Sequence, residues 1–223
     1  MAVPVIEHHT TALKGDSSAS SISVSHTGTG SDLLAVVCLS HRYGADAITG
    51  VTYGGNAMTR AIGSAVLQGA YIYYLVSAPS GAQTVEATWN NGLTNPAAIT
   101  AMTITGADLS DPIDETGNAW ANSSTPSVSV TTTVNDCLII DCLTVRRVGV
   151  PSITGGQTLI YANEQATASS FGRSYEEKAT AGAETLSWSL AGAEEWQHVA
   201  AAINADGGGG GGSTAFSQAV VII

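Results

Sequence analysis

Two decapeptides decide how this chain folds: Ser31-Asp-Leu-Leu-Ala-Val-Val-Cys-Leu-Ser40 and Asn135-Asp-Cys-Leu-Ile-Ile-Asp-Cys-Leu-Thr144. Their cores, Leu33 to Leu39 and Cys137 to Val145, are nearly continuous in apolar residues. A short unbroken apolar run is what a strand covered on both faces requires, so both belong in the middle of a sheet. Aligned, the two place Asp32 on Asp136 and Cys38 on Cys142.

The correspondence continues outward on both sides. Val51-Thr-Tyr-Gly-Gly-Asn-Ala-Met58 matches Ser152-Ile-Thr-Gly-Gly-Gln-Thr-Leu159, and Ala78-Pro-Ser-Gly-Ala-Gln-Thr-Val85 matches Ala179-Thr-Ala-Gly-Ala-Glu-Thr-Leu186. Ala98-Ile-Thr-Ala-Met-Thr-Ile-Thr105 resembles Gln197-His-Val-Ala-Ala-Ala-Ile-Asn204. Four blocks in the same order point to an internal repeat. Between them apolar residues alternate with polar ones: Ile22 and Val24; Tyr71, Tyr73 and Leu75; Val85, Ala87 and Trp89; Val128 and Val130; Leu186 and Trp188. That period of two marks half-buried strands. Gly54-Gly55-Asn56 and Gly155-Gly156-Gln157 supply turns, and no segment carries a helical period capped at both ends. The Ala-rich stretch 97–105 contains Thr100, Thr103 and Thr105, which favour a strand.

The expected fold is therefore all-β: an antiparallel two-sheet, jelly-roll-like β-sandwich formed by two pseudo-symmetric repeats. One sandwich is preferred to two separate beads because each repeat alone would leave few strands and exposed edges. Residues 1–19 read as an extended N-terminal segment. Residues 20–206 read as the duplicated sandwich, with repeats at about 20–107 and 126–206 joined by the Asp- and Pro-containing stretch between them. A hexaglycine tether, 207–212, follows, and 213–223 reads as an apolar strand. That tail has high β-propensity, no charge and no proline, so it needs a partner. Its contact residues would be Ala215, Phe216, Val220, Val221, Ile222 and Ile223. Two docking sites stay open: an edge of the chain's own sandwich, or the sheet of a neighbouring subunit.

Composition narrows the partners. Of 223 residues, 44% are hydrophobic, 11% are charged and 25 are Gly; 7 Lys and Arg stand against 18 Asp and Glu, a net charge of −11. A chain this long builds its own core without metal or disulfide staples. Its acidity speaks against nucleic acid and anionic membrane surfaces as partners. The start lacks a basic region followed by an apolar one, so no signal peptide is expected. No apolar run approaches the ~18 residues of a spanning helix. Three cysteines without CxxC spacing fit buried reduced thiols. Scarce Lys on strand edges is consistent with contact surface and a homo-oligomer, the alternative being a Ser- and Thr-rich sandwich that uses its hydroxyls for solubility.

The search for chemistry returns little. His8, His9, His26, His41 and His198 show no metal-binding spacing. Asp108, Asp111, Asp114 and Glu115 read as a solvated turn, with calcium the minor alternative, since their spacing is not that of a calcium loop. Glu176-Glu177 and Glu194-Glu195 would each point to opposite strand faces. No catalytic residue, metal site or cofactor is expected. Trp120 and Trp196 are the candidate ligand platform, because an exposed indole stacks on sugar rings or anchors an interface; the alternative for each is a place in the core.

The residues Asp32-Leu-Leu-Ala-Val-Val37, Val51-Thr-Tyr-Gly-Gly-Asn-Ala-Met-Thr-Arg60, Tyr73-Tyr-Leu-Val-Ser-Ala-Pro-Ser-Gly81, Thr84-Val-Glu-Ala-Thr88 and Thr105-Gly-Ala-Asp-Leu-Ser-Asp-Pro-Ile113 carry a resemblance. Over most of 20–205 the chain resembles a diffuse family of β-sandwich domains of tailed-phage virion proteins and related bacterial surface proteins. The resemblance implies a structural virion protein, assembled in the host cytoplasm, that decorates a capsid or belongs to a fibre or tail. It transfers no functional residues. Other virion proteins would be its partners, and a glycan-binding or adhesin module is the alternative function.

Overall fold

The computed structural model describes residues 2–42, 46–147, 149–165 and 169–207. The first half contributes β1 (Val5–Lys14), β2 (Ala19–Gly28), β3 (Leu34–His41), β4 (Ile48–Tyr53), β5 (Asn56–Ala57), β6 (Thr59–Ser64), β7 (Gly69–Leu75), β8 (Gly81–Leu93) and β9 (Ala97–Thr105). The second contributes β10 (Ile113–Ser123), β11 (Ser127–Thr132), β12 (Cys137–Val145), β13 (Ser152–Ile153), β14 (Thr158–Gln165), β15 (Ser169–Lys178), β16 (Gly182–Ser189) and β17 (Glu194–Ile203). The fold is all-β, and every strand pairing is antiparallel.

Among the described residues the strands form four sheets, ordered β1-β9-β3-β7-β6, β2-β8-β4-β5, β10-β17-β12-β15-β14 and β11-β16-β13. The two apolar runs became β3 and β12, each at the centre of a five-stranded sheet and buried along its whole length. Alternation along β3 divides its side chains between two cores. Ala35, Val37 and Leu39 meet Val51, Tyr53, Val85 and Ala87 of the four-stranded sheet, while Leu34, Val36 and Cys38 meet Leu138, Ile140 and Cys142 of β12. The second half repeats this division, with Ile139, Leu143 and Val145 packed toward Val128, Val130, Leu186 and Trp188.

This arrangement corrects the expected two-sheet sandwich. Each half closes a sandwich of its own, and the two pack back to back through their five-stranded sheets, β3 on β12, β7 on β17 and β6 on β10. The physical reason lies in the doubly apolar central strands, which need cover on both faces. Strands apolar on one face only, such as β2 and β11, end up in the outer sheets with Ser and Thr toward solvent. Across the seam, Cα atoms of β3 and β12 come closer than 8 Å. Stacked sheets ordinarily sit about 10 Å apart. Small side chains at the seam, Ala70, Cys38, Cys142 and Ala201, permit the close approach.

Two boundaries also shift. The segment read as an extended N-terminus contains β1, hydrogen-bonded along β9, so the first sandwich begins near Val5. The segment read as a joining stretch contains β10, which pairs with β17. Both are edge strands with an exposed face, and polar residues such as Asn118 and Asn122 on β10 mask their period in the sequence. Asp32 and Asp136 occupy left-handed turns before β3 and β12, with φ of 55° and 61°. Asp tolerates that region better than most residues with a Cβ.

Where β10 crosses to β11, Gly117 lies so near the neighbouring backbone that an added Cβ would stand 2.3 Å from the carbonyl oxygen of Ser129. A backbone atom cannot give way as a flexible side chain can. Gly117→Ala is expected to destabilise the fold by roughly 1–3 kcal/mol. Gly50→Ala, whose new methyl would meet only Thr88 Oγ1 at 3.6 Å, is the control and should be close to neutral. Urea denaturation midpoints of the two variants check this.

Candidate functional site

The two candidate platform residues separate. Trp120 lies on edge strand β10, opposite Gln197 of β17, and is 52% exposed. Trp196, on β17, is 5% exposed; its Nε1 donates to Ser123 Oγ at 3.0 Å, and its ring packs with Leu143, Val145, Trp188 and Leu190. A solvent-facing role for Trp196 is thereby corrected. Neighbouring positions on a strand point to opposite faces, so Gln197 rather than Trp196 shares the face of Trp120. The tail positions Ala215, Phe216, Val220, Val221, Ile222 and Ile223 lie outside the described residues.

The acidic cluster is spent locally. Asp108 Oδ1 accepts from the Ser110 amide at 2.8 Å, the Ser110 hydroxyl at 2.6 Å and the Asp111 amide at 3.2 Å. Those bonds hold its carboxyl below the usual range, the Ser110 hydroxyl contributing most. Asp114 instead accepts from the amide and hydroxyl of Thr133, tying the start of β10 to the turn before β12. A surface depression of about 300 Å³ beside this turn is lined by Asp32, Ala107, Asp108, Leu109, Ser110 and Asp206. Among the described residues, no group of three His, Cys, Asp or Glu side chains is placed to hold a metal ion. Of the adjacent glutamates, Glu195 pairs with Arg146 at 3.1 Å.

The most concentrated chemistry is a buried network that the sequence reading did not single out. Asp141 of β12 and His198 of β17 are both 0% exposed, inside the second sandwich. Asp141 Oδ2 accepts from His198 Nε2 at 2.8 Å and from Trp188 Nε1 at 2.8 Å, while Oδ1 accepts from the Ser174 amide at 2.6 Å. Three donors engage both oxygens of the carboxylate, and the bond to His198 places a proton on its Nε2. The aligned positions in the first half carry Val37 and Ile99, both buried in an apolar core. A sequence signal existed: an Asp inside a doubly buried strand must find partners.

Two further histidines are sealed in the first sandwich. His26 sits between Thr10 Oγ1 at 3.0 Å and Thr103 Oγ1 at 3.3 Å. Burial, helped by His8 and His9, lowers it to about 4. His41 contacts the Tyr71 hydroxyl at 3.2 Å, and burial lowers it to about 4 as well. Both are therefore neutral at pH 7.

No family model, curated protein or solved structure matches the chain. The reading of function consequently rests on sequence and geometry.

Removing the Asp141 carboxylate strands the donors of Trp188, His198 and Ser174. Asp141→Ala is expected to cost about 3–5 kcal/mol. Asp141→Val combined with His198→Ile, the pair of residues found in the first half, should cost less than Asp141→Val alone. Equilibrium urea unfolding of the three variants measures the difference.

Proposed function

We propose that the chain is a non-enzymatic structural subunit of a tailed-phage particle. It would decorate a capsid or belong to a fibre or tail, and act by packing against copies of itself and against other virion proteins. The observation that carries this reading is the four-layer build, in which two sandwiches share one core and present hydroxyl-bearing sheets outward. The buried Asp141–His198 pair, closed off by Trp188, serves the fold and supports a mechanical role over a chemical one. Assembly in the host cytoplasm fits the reduced thiols, and the reading calls for no cofactor, nucleic acid or membrane.

The same reading includes an internal duplication. The order β1-β9-β3-β7-β6 corresponds strand for strand to β10-β17-β12-β15-β14. Asp32 and Asp136, superposed by the sequence blocks, share the same left-handed backbone. Both facts support a pseudo-two-fold axis that runs between β3 and β12.

Self-association would use the C-terminal tail. The Asp206 amide, directly before the hexaglycine in the sequence, donates to Gly106 O at 2.7 Å. Light scattering after size exclusion compares the full chain with a version ending at Asp206. The expected result is a defined oligomer for the first and a monomer for the second. Two monomers of equal stability would overturn pairing through the tail.

A half-exposed Trp120 favours the second reading, a glycan-binding or adhesin module. In that case soluble glycans quench tryptophan fluorescence, and Trp120→Ala abolishes the quenching while buried Trp89, Trp188 and Trp196 still emit. No quenching across a polysaccharide panel leaves the assembly reading alone.

A further inference from the structure

We propose that Cys38 and Cys142 are a latent cross-link between the two sandwiches, closed as a disulfide when the protein meets a hydroperoxide. The site holds whether the protein is an assembly subunit or a glycan binder.

The geometry begins with the seam. Cys38 on β3 and Cys142 on β12 belong to the shared core and face each other across it. Cys142 Sγ lies 3.4 Å from the Leu39 carbonyl oxygen, and Cys38 Sγ lies 3.7 Å from the Asp141 carbonyl oxygen. Each sulfur thus touches the backbone of the opposite strand. A disulfide needs Cα atoms roughly 4.4–6.8 Å apart. Strands already closer than 8 Å need move little to meet that requirement.

The surroundings prepare one thiol to react. Arg173 of β15 is fully buried at the same seam, and among the described residues it forms no ion pair with a carboxylate. Its guanidinium donates to Ser40 Oγ at 2.8 Å, and Ser40 Oγ lies 3.4 Å from Cys142 Sγ. A buried cation lacking a carboxylate favours an anion nearby. Burial works to raise both thiols. At Cys142, the contact with Cys38 and the guanidinium outweigh it and bring that group below its ordinary value, whereas Cys38 lies well above. The third thiol is placed differently: Cys137 faces the other core, where burial and the Asp114 carboxylate push it up to about 12.

The reaction balances with one equivalent of hydrogen peroxide. The Cys142 thiolate attacks one peroxide oxygen, the O–O bond breaks, and the leaving hydroxide takes a proton to become water, leaving a sulfenic acid. Cys38 sulfur then attacks the Cys142 sulfur, the S–O bond breaks, and a second water departs with the Cys38 proton. Two thiols are oxidised by two electrons, and the peroxide is reduced to two waters.

The test uses the full chain, prepared reduced and exposed to hydrogen peroxide under native conditions. It is then unfolded in guanidinium, alkylated with iodoacetamide and weighed intact. The expected product has lost two hydrogens and carries a single alkyl group, on Cys137, with peptide mapping linking Cys38 to Cys142. Its denaturation midpoint rises and returns on treatment with dithiothreitol. Cys38→Ser and Cys142→Ser each abolish both effects. Because the sulfurs are buried, the reaction is repeated in urea below the unfolding transition, where local opening must accelerate it. Three alkylated thiols under both conditions, oxygen addition in place of a disulfide, or a link through Cys137 would overturn the proposal.

Discussion

Everything in this molecule depends on the apolar contact between two five-stranded sheets. Leu34, Val36 and Cys38 on one side, with Leu138, Ile140 and Cys142 on the other, form a core that belongs to neither half alone. At about 25 cal/mol per Å² of buried apolar surface, such a contact is strongly favourable. It also explains why the few polar residues of the central strands, Ser40, His41, Asp141 and Thr144, are all buried and bonded. A polar side chain at the seam must find partners there, as Thr144 does with Ser40 at 2.6 Å and the Gly69 carbonyl at 2.8 Å.

The halves solve the same packing problem with different chemistry. The first fills its private core with Val37, Ile99 and Ala87, whereas the second sets Asp141, His198 and Trp188 at the aligned positions and bonds them to one another. A buried network of this kind is costly when incomplete, which makes it specific about geometry. At these aligned positions the second half uses directed hydrogen bonds where the first uses apolar packing. At the seam, Arg173 takes the same logic further, with its guanidinium held by the carbonyls of Leu143 and Gly172.

Asp141, His198 and Arg173 lie inside, while the outer strands β2 and β11 present Ser and Thr. An acidic block with hydroxyl-bearing outer strands, followed in the sequence by a hexaglycine and an apolar stretch, is the basis of the assembly reading. Trp120 is the exception, a large aromatic half in water on an edge strand.

The sequence by itself determined the all-β class, the two central strands, the burial of Trp89 and Trp188, and the reduced state of the three cysteines, because each follows from local periodicity and spacing. It underestimated β1 and β10, since an edge strand needs only one apolar face and Asn118, Trp120 and Asn122 conceal that face. Tertiary structure alone decided that each half closes its own sandwich. Val36 and Val37 are equally apolar in the chain, and only the arrival of a second sheet on each side shows which core claims which residue. It alone decided that Trp196 is buried, and that Asp141 meets His198 and Cys38 meets Cys142. Those pairs lie 57 and 104 residues apart, and long-range pairing is set by how sheets stack, which no local pattern encodes.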